Sequence, residues 1–223
     1  MFSKPIDAGK DVRAGLVGAV GALVDLGTPF LRGVRARWGL GIEEAARSYP
    51  GDDLVPQPRW SWTHGIDIDA PAARVWPWVV QMGQNRAGFY SYQWLENLAG
   101  CEIRNADSIN LAWQALAVGD PFRLHPKAPP LQVAALQEGR WFVVGSKLVD
   151  DDAVEPEANA SWLFFVEPLG ETRSRFISRF RISYPAGLRA RLSYGPWLTE
   201  AIGFVMDRAM LRGVKRRAEA RRS

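Results

Sequence analysis

Cysteine is nearly missing from this 223-residue chain. Cys101 stands alone, so no disulfide can form within it, which fits a reducing compartment. Histidine is almost as scarce. His64 and His125 lie far apart, with no cysteine or carboxylate cluster at ligand spacing, which argues against a metal site. GxGxxG and Walker patterns do not occur, so no nucleotide cofactor is expected. No Ser/His/Asp or Cys/His arrangement can be argued from spacing. Long hydrophobic runs are lacking as well. The best candidate, Ala14 to Leu31 (AGLVGAVGALVDLGTPFL), is broken by Asp25, Gly27 and Pro29, whereas a spanning helix needs about twenty apolar residues. Asp7 and Asp11 precede it and no clean small-residue cleavage site follows, which argues against a secretory signal. The expectation is a cytoplasmic protein whose N-terminal helix packs on the domain or lies on a membrane surface.

The chain is 47% hydrophobic and 23% charged, enough apolar material for a sizeable core. Ten Trp and ten Phe are a large share, and so many aromatics can line a pocket as well as fill a core. The net charge of +4 is concentrated at Arg208 to Arg222. That cluster has no interleaved aromatics, so nucleic acid is not an expected partner. An anionic membrane surface and a plain solubilising tail both stay open.

Three regions follow from the patterning: an N-terminal helical segment and extended arm (1–59), a main domain (60–211) and a basic tail (212–223). The arm, WGLGIEEAARSYPGDDLVPQPR, holds a short helix around Glu43 to Arg47 and then Pro50, Gly51, Pro56 and Pro58, which stop helix and central strand alike. Strict alternation begins at Trp60, placing Trp60, Trp62, His64, Ile66 and Ile68 on one face of a first strand. Two short helices follow, PAARVWPWVVQMG and FYSYQWLENLAG. Later strands are expected at Pro121 to His125, Leu131 to Gln137, Arg140 to Lys147, Ser161 to Pro168 and Arg173 to Tyr184, joined by short turns and one acidic loop, Asp150 to Ala160. Short turns between consecutive strands give an antiparallel sheet. A long helix starts at Gly195-Pro196. On a helical wheel Leu198, Ile202, Val205, Met206 and Ala209 share a face, with Glu200 and Asp207 opposite. Arg212 and Arg216 spoil that face, so the helix is expected to pack to about Met210 and release its tail.

This order, together with VWPWVVQMGQNRAGFYSYQWLENLAG at 75–100, resembles the SRPBCC superfamily, also called START-like or helix-grip, and within it the polyketide cyclase/dehydrase and lipid-transport branch. WGLGIEEAARSYPGDD at 38–53 is similar to the arm of a bacterial subgroup of that branch. The resemblance implies an α+β fold in which about seven curved antiparallel strands wrap a long C-terminal helix, leaving a cavity for a hydrophobic or amphipathic small molecule. It does not choose between binding and chemistry.

Candidate ligand contacts follow. Arg86, Tyr90, Tyr92 and Trp94 can meet a polar group at a cavity mouth, with Arg86, Tyr90 or Tyr92 as polarising or acid groups if the protein is a cyclase or dehydratase. The alternative pairs Arg86 with Glu96 or Asp107 and packs the aromatics on the sheet. Trp113, Phe122, Trp162, Phe164 and Phe180 are expected on the inner walls, and Ile202, Val205 and Met206 on the gripping helix. Arg173, Arg175, Arg179 and Arg181 are expected on a solvated outer face. Leu163 and Phe165 need cover from outside, for which the segment 14–31 is the candidate, so deleting residues 1–37 should expose apolar surface and cause aggregation.

Overall fold

The computed structural model describes residues 13, 15–21, 28–146 and 158–220. The acidic loop 150–157 and the side chain of Leu198 lie outside the described residues. Six antiparallel strands form one sheet in the order β1-β6-β5-β4-β3-β2: β1 Trp60–Ile68, β2 Pro121–Phe122, β3 Leu131–Gln137, β4 Trp141–Gly145, β5 Asn159–Pro168 and β6 Ser174–Ser183. Short helices α1 (Arg32–Arg35) and α2 (Ile42–Ala46) precede the sheet. Helices α3 (Ala72–Val80) and α4 (Gln93–Leu98) follow β1, α5 (Leu188–Tyr194) follows β6, and α6 (Pro196–Glu219) closes on the inner face. This is the helix-grip layout.

About seven strands were expected and six are present among the described residues. Irregular chain at residues 36–38 takes the place of a further strand. It runs along the free edge of β1, where Thr63 N donates to Ala36 O at 2.7 Å and Gly65 N donates to Trp38 O at 2.9 Å. An edge strand with unpaired N–H groups is a pairing hazard, and this contact covers it. The approach is so close that a Cβ on Gly39, which has φ of +80°, would lie 1.9 Å from Gly65 O.

The outer face of the sheet is largely covered, although Arg173 stays exposed as expected. The arm lies over it, packing Leu40 and Tyr49 on Val143, Leu163 and Ile177. Asp52 receives Arg179 Nε at 2.7 Å, and Arg181 Nε donates to Val55 O at 2.9 Å. Arg175 pairs with Glu44 and Asp67. A basic stripe on one strand face therefore marks a lid of carboxylates and carbonyls supplied from the arm. Residues 15–21 do not cover this face. They are helical and press their glycines on the other side of the molecule: a Cβ on Gly15 would meet Trp94, one on Gly18 would meet Tyr92, and one on Gly21 would lie 3.5 Å from Val205. No described helix is long and apolar enough to cross a membrane.

The C-terminal helix also departs from expectation. It continues to Glu219, with Leu211, Val214 and Ala218 buried and Arg217 donating to Ala106 O. The wheel placed the inner face only in part: Val205 is buried, but most of the buried stripe runs through residues the wheel left off that face. Ile202 is 46% exposed, while Glu200, Phe204, Asp207, Met210 and Val214 turn inward. Two carboxylates hidden in the buried stripe make that stripe look polar, and Arg212 and Arg216 occupy the outer side, where they disturb nothing. Val214→Ala is therefore expected to cost about 1–2 kcal/mol in urea unfolding. Arg216→Ala should cost almost nothing, and equal effects would contradict a packed end.

A candidate ligand cavity with buried carboxyls

The space between sheet and α6 is filled unevenly. Toward the C-terminal half of the helix, Met210, Leu211 and Val214 join Phe122, Phe142, Phe164 and Phe176 in a solid core. Toward the N-terminal half a cavity of about 390 Å³ remains, within the range of about 300–1,000 Å³ common for small-molecule sites. Its aromatic walls are Trp60 and Trp62 on β1, Phe89 before α4, Trp162 on β5 and Phe180 on β6. Ile202, Gly203, Met206 and Asp207 form the helix side, and Leu192 and Ser193 of α5 form part of the rim. Gly203 lets Trp62 lie against the helix, since a Cβ there would come 2.7 Å from the indole ring.

Below this wall lies a buried polar chain. Trp162 Nε1 donates to Ser178 Oγ at 2.8 Å, and Ser178 Oγ donates to Asp207 Oδ1 at 2.7 Å. His64 Nδ1 donates to Asp207 Oδ2 at 2.5 Å. The His64 ring stacks on Trp62 with ring centroids 5.4 Å apart, and its Nε2 is buried without a protein partner. Although serine, histidine and aspartate meet here, the order is wrong for a nucleophile. Asp207 sits in the middle and accepts from both neighbours, so His64 does not contact Ser178 Oγ and no relay through an imidazole forms. The arrangement holds a carboxylate in place on the cavity wall.

Glu96 of α4 is the other ionisable wall residue. It is only 7% exposed. Ser91 Oγ donates to its Oε1, and its Oε2 is buried with no protein partner. Burial lifts its pKa from the ordinary 4.5 to about 7, against the pull of the Ser91 hydrogen bond. Cys101 is pushed up as well, by its own burial and then by the Glu96 charge.

Of the residues proposed from sequence, Trp162, Phe180, Ile202 and Met206 line the cavity together. The others lie elsewhere. Phe122 and Phe164 are in the solid core. Val205 turns toward Gly21, while Tyr92 and Trp94 meet Gly18 and Gly15. Trp113 packs against the core from outside, and its carbonyl accepts from Arg86 Nη2 at 2.5 Å. Arg86 pairs with neither Glu96 nor Asp107; Arg217 takes Asp107. Burial holds the Arg86 guanidinium below its ordinary range. Tyr90, at φ +58°, donates its hydroxyl to Trp78 O and accepts from Gln81, and burial pushes its pKa well up. Sequence reading missed Glu96 and Asp207 as wall residues. The one available signal for Asp207 was His64, an imidazole on the inner face of β1 that needs a buried partner.

No family model matches the chain, and no curated protein matches it. Among solved structures it is similar to a START superfamily protein from Mycobacterium smegmatis, at 9% identity over 70% of this chain and 97% of that one, with a TM-score of 0.37. It is also similar to the Zhui aromatase/cyclase from Streptomyces sp. R1128, at 12% identity, 72% and 93% coverage and a TM-score of 0.32. A protein from Mesorhizobium loti is similar at 14% identity, 70% and 98% coverage and a TM-score of 0.37. These are likenesses of outline.

Proposed function

We propose that the protein binds a hydrophobic or amphipathic small molecule in the cavity between the sheet and the N-terminal half of α6. The observation that carries this reading is the cavity itself. Five aromatic rings and the half-buried Met206 are left facing about 390 Å³ of space beside the packed core of Met210, Leu211 and Val214. Aromatic surface left uncovered costs free energy that a ligand recovers. A cyclase or dehydratase using Arg86 or Tyr90 gains no support, because both side chains are engaged away from the cavity wall.

Nile red tests the reading. It should bind with enhanced emission and quench tryptophan fluorescence. Met206→Trp, which fills the cavity, should lower its affinity at least about tenfold, or about 1.4 kcal/mol. Equal affinity in the folded variant would remove the cavity as the binding place.

The cavity rim favours a second reading, in which ligand is exchanged with a membrane. Leu188 and Leu192 of α5 are each 74% exposed, with exposed Arg189 and Arg191 among them, and Leu192 also borders the cavity. Apolar side chains interleaved with arginine suit an anionic lipid surface. Vesicles of phosphatidylglycerol should pellet the protein at low salt and release it at high salt. No pelleting at low salt would dispose of this reading.

A further inference from the structure

The ionisable groups of the cavity wall are all of one sign, and its neutral polar groups are the hydroxyls of Ser91, Ser193 and Thr199 and the buried, unpartnered indole N–H of Trp62. Its ionisable members, Glu96 and Asp207, are carboxyls, and among the described lining residues none is Lys, Arg or His. The basic side chains beside the wall are engaged: His64 bonds to Asp207, Arg208 lies over the Phe204 ring at 5.2 Å, and Arg32 pairs with Glu200 at 2.6 Å. Asp207 is held by His64 and Ser178, one partner on each oxygen. Glu96 is not balanced in this way. Its Oε1 has Ser91, while its Oε2, in a residue more than nine-tenths buried, has nothing. A buried carboxyl oxygen without a donor is costly, and a ligand able to supply one removes that cost.

We propose that the cavity selects an amphipathic amine, with its apolar body against Trp60, Trp62 and Trp162 and its protonated amino group donating to Glu96 Oε2. This rests on the reading of the cavity as a ligand site and adds the class of ligand. Three features favour a cation. A carboxylate or phosphate head would meet two carboxyls and no base among the described lining residues, a like-charge arrangement that disfavours binding. A cation gains from the negative faces of the indole rings as well as from the carboxylate. An alcohol could donate to Oε2, but it carries no charge to balance Glu96 and so gains only the smaller worth of a hydrogen bond between a neutral and a charged group.

The test compares three probes of one chain length, dodecylamine, dodecanol and dodecanoate, all below micelle-forming concentrations at pH 8. Binding is followed by tryptophan quenching and calorimetry on the full chain. Dodecylamine should bind at least about tenfold tighter than dodecanol, the worth of a charge-assisted contact, and dodecanoate should bind weakest. In Glu96→Gln the amine should lose that advantage over dodecanol. Equal binding of amine and alcohol by the wild type, tighter binding of dodecanoate, or a preference that survives Glu96→Gln would overturn the amine assignment and leave the cavity reading standing. If none of the three probes binds, the cavity reading falls too. The wild-type comparison stands by itself should the variant fold poorly.

Discussion

Asp207→Ala should lower the unfolding free energy by about 2–6 kcal/mol, because two buried donors each lose their acceptor at roughly 1–3 kcal/mol apiece. The loss has an identifiable source. Asp207 is the acceptor for two buried donors, His64 Nδ1 and Ser178 Oγ, and neither has another acceptor in reach of those bonds. Removing the carboxylate leaves both donors in a wall of Trp62, Phe204 and Trp162, where an unmade hydrogen bond retains its full desolvation cost. His64→Ala should also destabilise, and the double variant should cost less than the sum of the two, because the second change removes a group already stranded. Urea unfolding of the four proteins gives the cycle. A single-variant loss below about 1 kcal/mol, or strict additivity, would mean that the pair is not buried as described.

Glu96→Gln is expected to do the reverse, and only at higher pH. The folded carboxyl has a pKa of about 7 against 4.5 in an unfolded chain, so between these values the folded protein holds a proton that the unfolded chain has released. Stability contributed by this group therefore falls as pH rises from about 4.5 to 7 and stays low above that. Moving a carboxyl from 4.5 to about 7 corresponds to roughly 3 kcal/mol at 1.36 kcal/mol per pH unit. Glutamine cannot ionise and keeps an oxygen for Ser91. Glu96→Gln should match the wild type near pH 4.5 and exceed it by roughly that amount at pH 8. A difference that is constant with pH would show that Glu96 is not held in an apolar wall. A ligand bringing a cation to Oε2 would shrink the difference, because it restores the ionised form.

The strands were legible because alternation reports burial directly. Trp60–Ile68 and Leu131–Gln137 can be read almost residue for residue from hydrophobicity. The C-terminal helix was legible in its start, where Gly195 and Pro196 mark the first turn, and only partly in its facing, where Ile202 and Met206 reach the cavity wall but the inward carboxylates were placed outside. A wheel assumes that charge points to water, and here Glu200 and Asp207 point inward to Arg32 and His64, contacts separated by more than a hundred residues. The same long-range pairing hid the arm. Nothing near Arg179 in sequence indicates that Asp52 will cover it. For the cavity, the inner aromatics of β5 and β6 could be assigned to a wall from strand parity alone, giving Trp162 and Phe180. Parity could not separate them from Phe122 and Phe164, because filled and empty space between sheet and helix depend on where Met210 and Leu211 fall along α6. Glu96 gave no signal. An acid beside Trp94 and Leu95 in a short helix reads equally well as a solvated residue.

The central claim is that the space beside Trp62, Trp162 and Met206 holds a small molecule. Native mass spectrometry of freshly purified full-length protein tests it most directly. The account predicts a bound species of small-molecule mass that is lost on denaturation, recoverable in organic extract, and absent from Met206→Trp. A single unliganded mass in both proteins, with no Nile red uptake by the wild type, would contradict it.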